Sequence, residues 1–216
     1  MKKAGYIAIV GRPNVGKSTL LNAILGEKVA IVSNKPQTTR NRIIGIHTQG
    51  ESQFVFLDTP GIHTPKNRLG DFMVKAANTT MQDADAVILV VEAGKEITNV
   101  ERNVIDYLER SGVPAILAVN KVDLADATQV AETILTYSRR HAFEAVVPIC
   151  ARNGGKVDEL LKECEQFLSE EDWMFPEDMI TDQPERLIIS DIIREKILLY
   201  YDKEIPYATE VLVESF

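Results

Sequence analysis

The 216-residue chain has ordinary globular composition, 45% hydrophobic and 26% charged, with room for one full α/β domain and a small remainder. Its net charge of −8 argues against broad, sequence-independent nucleic-acid binding. The two cysteines, Cys150 and Cys164, are too far apart for a C-x-x-C zinc or redox motif and are expected to be reduced, mostly buried thiols.

In chain order, Met1 to Gly5 followed by the apolar Tyr6-Ile7-Ala8-Ile9-Val10 is too short for an export signal or a membrane span, and reads instead as the approach to a buried strand. Thr19 to Leu25 is predicted as a helix closed by Gly26. Lys28 to Arg42 has no clean period and is expected to be a mobile loop. Ile43 to Thr48 and Gln53 to Asp58 read as two strands of a hairpin turning at Gly50-Glu51. Leu69 to Met81, Val100 to Arg110, Thr128 to Arg140 and Val157 to Leu168 have helical patterning. Ala86 to Val91, Ala115 to Val119 and Ala145 to Ile149 are apolar on both faces, which predicts a mostly parallel sheet covered on both sides. An acidic break at Ser169 to Asp172 marks the expected domain boundary, with a linker over 173–184. Beyond it, Leu187 to Tyr200 reads as a helix and Ala208 to Glu214 as a strand, too little to bury a core of its own.

The chemistry gathers where strands end. Gly11-Arg12-Pro13-Asn14-Val15-Gly16-Lys17-Ser18 is G-x-x-x-x-G-K-[ST], set between a strand and a helix N-terminus. Backbone N–H groups and the helix dipole make an anion cradle there, Lys17 adds charge on the β- and γ-phosphates, and Ser18 offers a hydroxyl to Mg2+. Asp58-Thr59-Pro60-Gly61 follows a strand. Its carboxylate suits Mg2+ and the Gly61 N–H suits a γ-phosphate. Asn120-Lys121-Val122-Asp123 selects the base. An ionised Asp123 accepts two hydrogen bonds, and guanine N1–H and its 2-amino group supply two adjacent donors that adenine lacks. Asn120 can reach N7, the Lys121 stem can lie over the ring, and after the last strand Cys150-Ala151-Arg152 can offer the Ala151 N–H to guanine O6. Residues 11–19 (through Thr19), 58–61, 120, 121, 123 and 150–152 thus form the expected site for GTP or GDP.

From Gly5 to about Leu168 these motifs resemble the small GTPases among the P-loop NTPases. Within them the chain resembles the Era family of bacterial ribosome-assembly GTPases, on Pro36-Gln37-Thr38-Thr39-Arg40, Asp58 to His63, Phe175 to Asp178, Ile192 to Lys196 and Glu204 to Tyr207. The resemblance implies a three-layer αβα fold with a six-stranded sheet carrying one antiparallel strand. It further implies a GTPase domain over 1–172 and, over 185–216, the start of a KH-like RNA-binding domain. Under it, residues 29–42 are a first switch in which Thr39, or in second place Thr38, ligates Mg2+, and 58–68 are a second switch. Lys17, Thr39 and Gly61 are then the catalytic group, and a K+ ion beside Asn14 could do the electrostatic work of an arginine finger. The implied partners are small-subunit ribosomal RNA and the small ribosomal subunit. A cytoplasmic monomer is expected, with peripheral attachment to the inner membrane face as an alternative.

Two departures from the family pattern, and one from small GTPases at large, qualify these expectations. Cys150 stands where the family usually has serine, and Ile62 stands where many small GTPases carry a water-orienting glutamine, so intrinsic hydrolysis should be slow. No G-x-x-G loop of the kind by which KH domains grip RNA follows Trp173, which makes the chain look like a partial family member. Arg12, Arg40 and Arg42 are candidate arginine fingers, although loop arginines are usually solvated. His63 is read as a solvent-facing residue. Competing readings are a nucleotide-gated RNA-binding module, a related GTPase of RNA modification or ribosome maturation, and an interaction protein with a vestigial site.

Overall fold

Every residue of Ala86–Glu92 except Glu92, and all of Ala115–Asn120, is buried. Strands without a solvent face persist only inside a sheet covered on both sides, and these two lie near its middle. In the computed structural model, which describes residues 1–33, 38, 42–62, 79–201 and 209–214, the strands are β1 (Lys3–Val10), β2 (Ile43–Gln49), β3 (Ser52–Asp58), β4 (Ala86–Glu92), β5 (Ala115–Asn120) and β6 (Ala145–Pro148). Their order is β2-β3-β1-β4-β5-β6, with β2 antiparallel to β3 and every other pair parallel. This is the expected mixed sheet of six.

Register places the chemistry. Ile9 of β1 pairs with Asp58 of β3 on one side and Ile88 of β4 on the other, so the loops leaving β1 and β3 emerge side by side. Glu92 pairs with Asn120, which brings the ends of β4 and β5 to the same edge. Chain order reverses around β1, and the crevice beyond the strands' carboxyl ends is where ligands of such sheets bind.

The longer described helices are α1 (Lys17–Leu25), α2 (Asn99–Ser111), α3 (Ala127–Ser138), α4 (Val157–Glu165) and α5 (Glu185–Tyr200), with a single 3-10 turn at Val122–Leu124. Leu20, Leu21 and Ile24 of α1 and Leu160, Leu161 and Cys164 of α4 share one apolar cluster with Ile7, Ile9, Phe54 and Phe56. Val104, Ile105 and Leu108 of α2 and Tyr137 of α3 share another with Ala8, Val10, Val87 and Leu89. Side chains that alternate along β1 therefore feed two opposite cores, the expected three layers. Capping boxes close α2 (Thr98 with Glu101) and α3 (Asp126 with Gln129). Helix α1 has neither a side-chain cap nor an acid in its first turn, as suits a helix N-terminus that faces an anion.

The expected linker is fastened to the sheet. Gln53 is buried, its Nε2 donates to the Phe175 carbonyl, and its Oε1 accepts from the N–H groups of Met174 and Phe175. Farther on, the Ile46 N–H donates to the Ile180 carbonyl at 2.8 Å and Thr181 Oγ1 donates to the Ile44 carbonyl at 2.7 Å. Helix α5 follows with Leu198 buried. The strand expected over Ala208 to Glu214 does not form in its described part, since residues 209–214 have no ladder partner among the described residues. Most of the helix expected over Leu69 to Met81 lies outside the described residues.

Candidate nucleotide site

The turn from β1 into α1 needs backbone that most side chains resist. Gly16 has φ 103° and caps α1 in the left-handed region, and a Cβ there would lie 2.2 Å from Asn120 Nδ2. Glycine is thus required by Asn120, the first residue of the motif expected to read the base, which packs against the phosphate loop. Asn120 Nδ2 donates to the Val15 carbonyl at 2.7 Å, and Asn120 Oδ1 accepts the Ala151 N–H at 3.0 Å. Asn120 therefore stitches three loops together. The Ala151 N–H, expected to face guanine O6, is turned in this structure to Asn120.

Lys17 is buried and its Nζ donates to the Arg12 carbonyl at 3.0 Å. Burial lowers its pKa to about 8, against the opposing pull of Asp58. Asp58 is buried too, and desolvation raises its carboxyl to about 6 in spite of Lys17, a hydrogen bond from Ser18 and one from the Thr59 backbone. Ser18 Oγ donates to Asp58 Oδ2 at 2.7 Å, while Asp58 Oδ1 is buried with no hydrogen-bond partner. A hydroxyl and a carboxylate with an unused buried oxygen are hard oxygen donors converging beside a phosphate cradle, and this set fits Mg2+. Among the described residues no cluster of three or more His, Cys, Asp or Glu could hold a metal by itself. A hard cation here would draw further oxygens from phosphates and water.

Gly61 approaches Pro13 so closely that a Cβ would stand 2.8 Å from the Pro13 N and Cα. Its lack of a side chain is thus explained by the phosphate loop packed against it. Thr59 Oγ1 donates back to the Ile9 carbonyl at 2.9 Å, tying the loop to β1. Ile62 is buried with Ala8, Val10 and Leu89, and its N–H donates to the Gly11 carbonyl at 3.0 Å. Thr39, Arg40, His63 and the rest of the expected second switch beyond Ile62 lie outside the described residues.

Two adjoining cavities complete the site. One, of about 60 Å³, is bordered by Pro13, Asn14, Lys17, Ser18, Gly61 and Thr38, and also by Gly16, Thr19 and Ile31 to Ser33. The other, of about 500 Å³, is bordered by Asn120, Lys121, Asp123, Leu124, Cys150 and Arg152, with Asn14, Gly16, Thr19, Val32 and Ser33 shared. Cys150 Sγ donates to Asp123 Oδ1 at 3.1 Å, so its side chain takes part where only backbone was expected to. Lys121 Nζ is 2.9 Å from Glu92 Oε2. Glu92 was not foreseen, although a charge closing the apolar run Ala86 to Val91 at the ligand edge was a signal. Arg12 is half-buried and paired rather than fully solvated. Its Nε lies 3.5 Å from Oε1 of the buried Glu101 on α2. Arg42 faces solvent, 4.0 Å from Asp83. Cys150 and Cys164 are both free and buried, and burial pushes the Cys164 thiol up to about 12.

A phosphate cradle at the switch point of a parallel sheet, a buried carboxylate–hydroxyl pair beside it and a carboxylate at the base cavity define a P-loop GTPase. A family model described as "50S ribosome-binding GTPase" matches residues 6–121. The chain belongs to the Era GTPase family. It is 49% identical over 216 residues to GTPase Era of Clostridioides difficile (strain 630), covering 100% of this chain and 73% of that protein. It is 47% identical over 214 residues to GTPase Era of Geobacter metallireducens (strain ATCC 53774 / DSM 7210 / GS-15), covering 99% and 72%. The crystal structure of Era with MgGDPNP and nucleotides 1506–1542 of 16S ribosomal RNA matches at a TM-score of 0.90 and 40% identity, covering 96% of this chain and 71% of that one. An Aquifex aeolicus Era variant bound to GDP·AlF4− matches at 0.88 and 40%, covering 94% and 70%. Among the described residues no helix is long and apolar enough to cross a membrane.

Proposed function

We propose that the chain works as a Mg2+-dependent guanine-nucleotide switch acting in assembly of the small ribosomal subunit. The observation that carries the switch is the buried Lys17–Asp58–Ser18 group with its unpartnered Asp58 oxygen. It lies across a shared wall from a cavity bordered by Asp123. Ser18 and Asp58, joined by Thr39, would hold Mg2+, which would supply positive charge to neutralise the β- and γ-phosphate oxygens. The buried Lys17 ammonium and the leading N–H groups of α1 bind those same oxygens, the Gly61 N–H meets the γ-phosphate, and Asp123 accepts N1–H and the 2-amino group of guanine. The Ile62 side chain offers no polar atom to an attacking water, so turnover depends on a partner or on ordering of the switch loops. Asn14, left-handed at φ 64° and bordering both cavities, is suited to a K+ ion that supplies positive charge beside the phosphates.

The RNA part of the reading rests on the likeness to the Era–16S RNA complex. We assign the nucleotide domain to residues 1–172 and the beginning of a KH-like domain to 185–216, in a cytoplasmic monomer. Sedimentation with anionic vesicles tests the alternative of peripheral contact with a membrane surface.

Single-turnover hydrolysis of GTP in Mg2+ tests the switch. Expected are guanine-specific turnover unaffected by excess ATP, loss of turnover in Lys17→Ala, and faster turnover in KCl than in NaCl. ATP competing on equal terms overturns the base assignment, and equal rates in the two salts remove the K+ ion.

A further inference from the structure

Helix α5 carries two adjacent charged residues that are both buried, Arg194 at 8% and Glu195 at 3% exposure. Buried charges are costly unless they are paired and hydrogen-bonded, and here both side chains place hydrogen bonds on the loop that walls the nucleotide cavities. Glu195 Oε1 accepts the Val32 N–H at 2.9 Å across 163 residues of sequence, and Oε2 pairs with Lys28. Arg194 Nη2 donates to the Thr38 carbonyl at 2.8 Å across 156 residues. The same guanidinium is oriented by Asp191 Oδ1, 3.1 Å from Nε and 2.9 Å from Nη2. Within the loop, Ser33 Oγ and Thr38 Oγ1 are 2.7 Å apart.

The two anchors fall at different places on the site. Val32 borders both the phosphate cavity and the base cavity, whereas Thr38 borders the phosphate cavity alone. The helix that makes them follows a segment already tied to Gln53, Ile44 and Ile46. Its seat is therefore fixed relative to the sheet from which the loop departs.

We infer that Arg194 and Glu195 are positioning residues for nucleotide binding: Glu195 sets the wall common to GDP and GTP, and Arg194 sets the wall at the γ-phosphate end. This rests on the switch reading above. Because binding linkage is reciprocal, whatever displaces α5 alters nucleotide affinity, and GTP in turn tightens the hold on α5.

The test measures affinities of fluorescent GDP and of a fluorescent non-hydrolysable GTP analogue for the full 216-residue chain. Arg194→Ala is expected to weaken the GTP analogue about tenfold, the loss of a charge-assisted hydrogen bond, while GDP stays within about twofold. Arg194→Lys, which keeps one donor, should recover part of that loss. Glu195→Gln should weaken both nucleotides, by about threefold or more. A merely structural clamp would instead lower melting temperature and weaken both nucleotides equally in Arg194→Ala, and that outcome overturns the inference. So does wild-type affinity in both variants. If a variant fails to fold, hydrogen exchange on the wild type decides. The GTP analogue must slow exchange in the last two turns of α5 more than GDP does, while both nucleotides slow it alike at the Val32 amide, and equal exchange in α5 overturns the inference. A wild type that binds no guanine nucleotide sinks the switch reading as well, whereas wild-type binding with unaltered variants sinks this inference alone.

Discussion

Cys150 donates its thiol hydrogen to Asp123 across 3.1 Å, so the carboxylate assigned to guanine is itself held from behind. A thiol is a weak donor and a hydroxyl a stronger one. Cys150→Ser should therefore bind GDP as well as the wild type or slightly better. Cys150→Ala should bind it about threefold to tenfold more weakly, the cost of one modest hydrogen bond. Titration calorimetry with GDP reads both, and an alanine variant of undiminished affinity would mean that the contact is idle.

Replacing the carboxylate should change the base that is read. In Asp123→Asn the amide retains one acceptor but presents a donor where guanine also has a donor, leaving a buried mismatch. GTP affinity should fall by about two orders of magnitude or more. Xanthine carries a carbonyl at that ring position, so XTP should bind the variant better than GTP does. Competition between the two triphosphates measures the exchange, and retention of GTP preference would remove Asp123 from the base site.

Asp58 and Lys17 give the nucleotide-free protein an unusual pH profile. Burial raises Asp58 from 3.8 to about 6, so between those values the folded state holds more protons than the unfolded one. Stability should then decline as pH rises through that window. Lys17 falls from 10.5 to about 8. Between 8 and 10.5 the unfolded chain binds more protons, and this group's contribution should make stability rise with pH. Function follows the opposite course on the acid side, because a protonated Asp58 is a poor cation ligand. The gain in nucleotide affinity on adding Mg2+ should shrink as pH drops below about 6. Thermal melts and binding isotherms from pH 4.5 to 8 would show whether the two trends oppose each other.

Gln53 meets three backbone groups of Met174 and Phe175 from a fully buried position. Gln53→Leu keeps the bulk and abandons those groups, so the protein should lose about 2–4 kcal/mol of stability. Nucleotide affinity should be nearly intact, since no part of this contact borders the cavities. Urea unfolding with and without GDP separates the two effects. An unfolding midpoint matching the wild type would show that water replaces the glutamine.

What could be read from the sequence was what short stretches of backbone determine. Gly11 to Ser18 carries strand, turn and helix start within a few residues of one another, and the apolar runs of β4 and β5 allow only a central place in a sheet. The polar contacts that position the site were hidden because they join residues far apart and follow no period. Arg12 reads as a solvated loop charge, whereas its partner Glu101 lies on a helix far along the chain. Cys150 was expected to matter only through its backbone, since a lone thiol does not announce its acceptor. Gln53 begins a predicted strand and Glu195 lies inside a predicted helix, and neither pattern shows that each is buried and paired across more than a hundred residues. The boundary expected at residue 172 followed a change in composition, which does not report that the next nine residues are stitched to the sheet.

That stitching has a consequence for solubility. Strand β2 is the outermost of its sheet, and the chain around Ile180 and Thr181 occupies the Ile46 amide and the Ile44 carbonyl. A shortened form ending at residue 172 would leave that flank bare, an open template for pairing with a neighbouring molecule. Such a form should self-associate at concentrations where the longer one stays monodisperse, even with its nucleotide pocket whole.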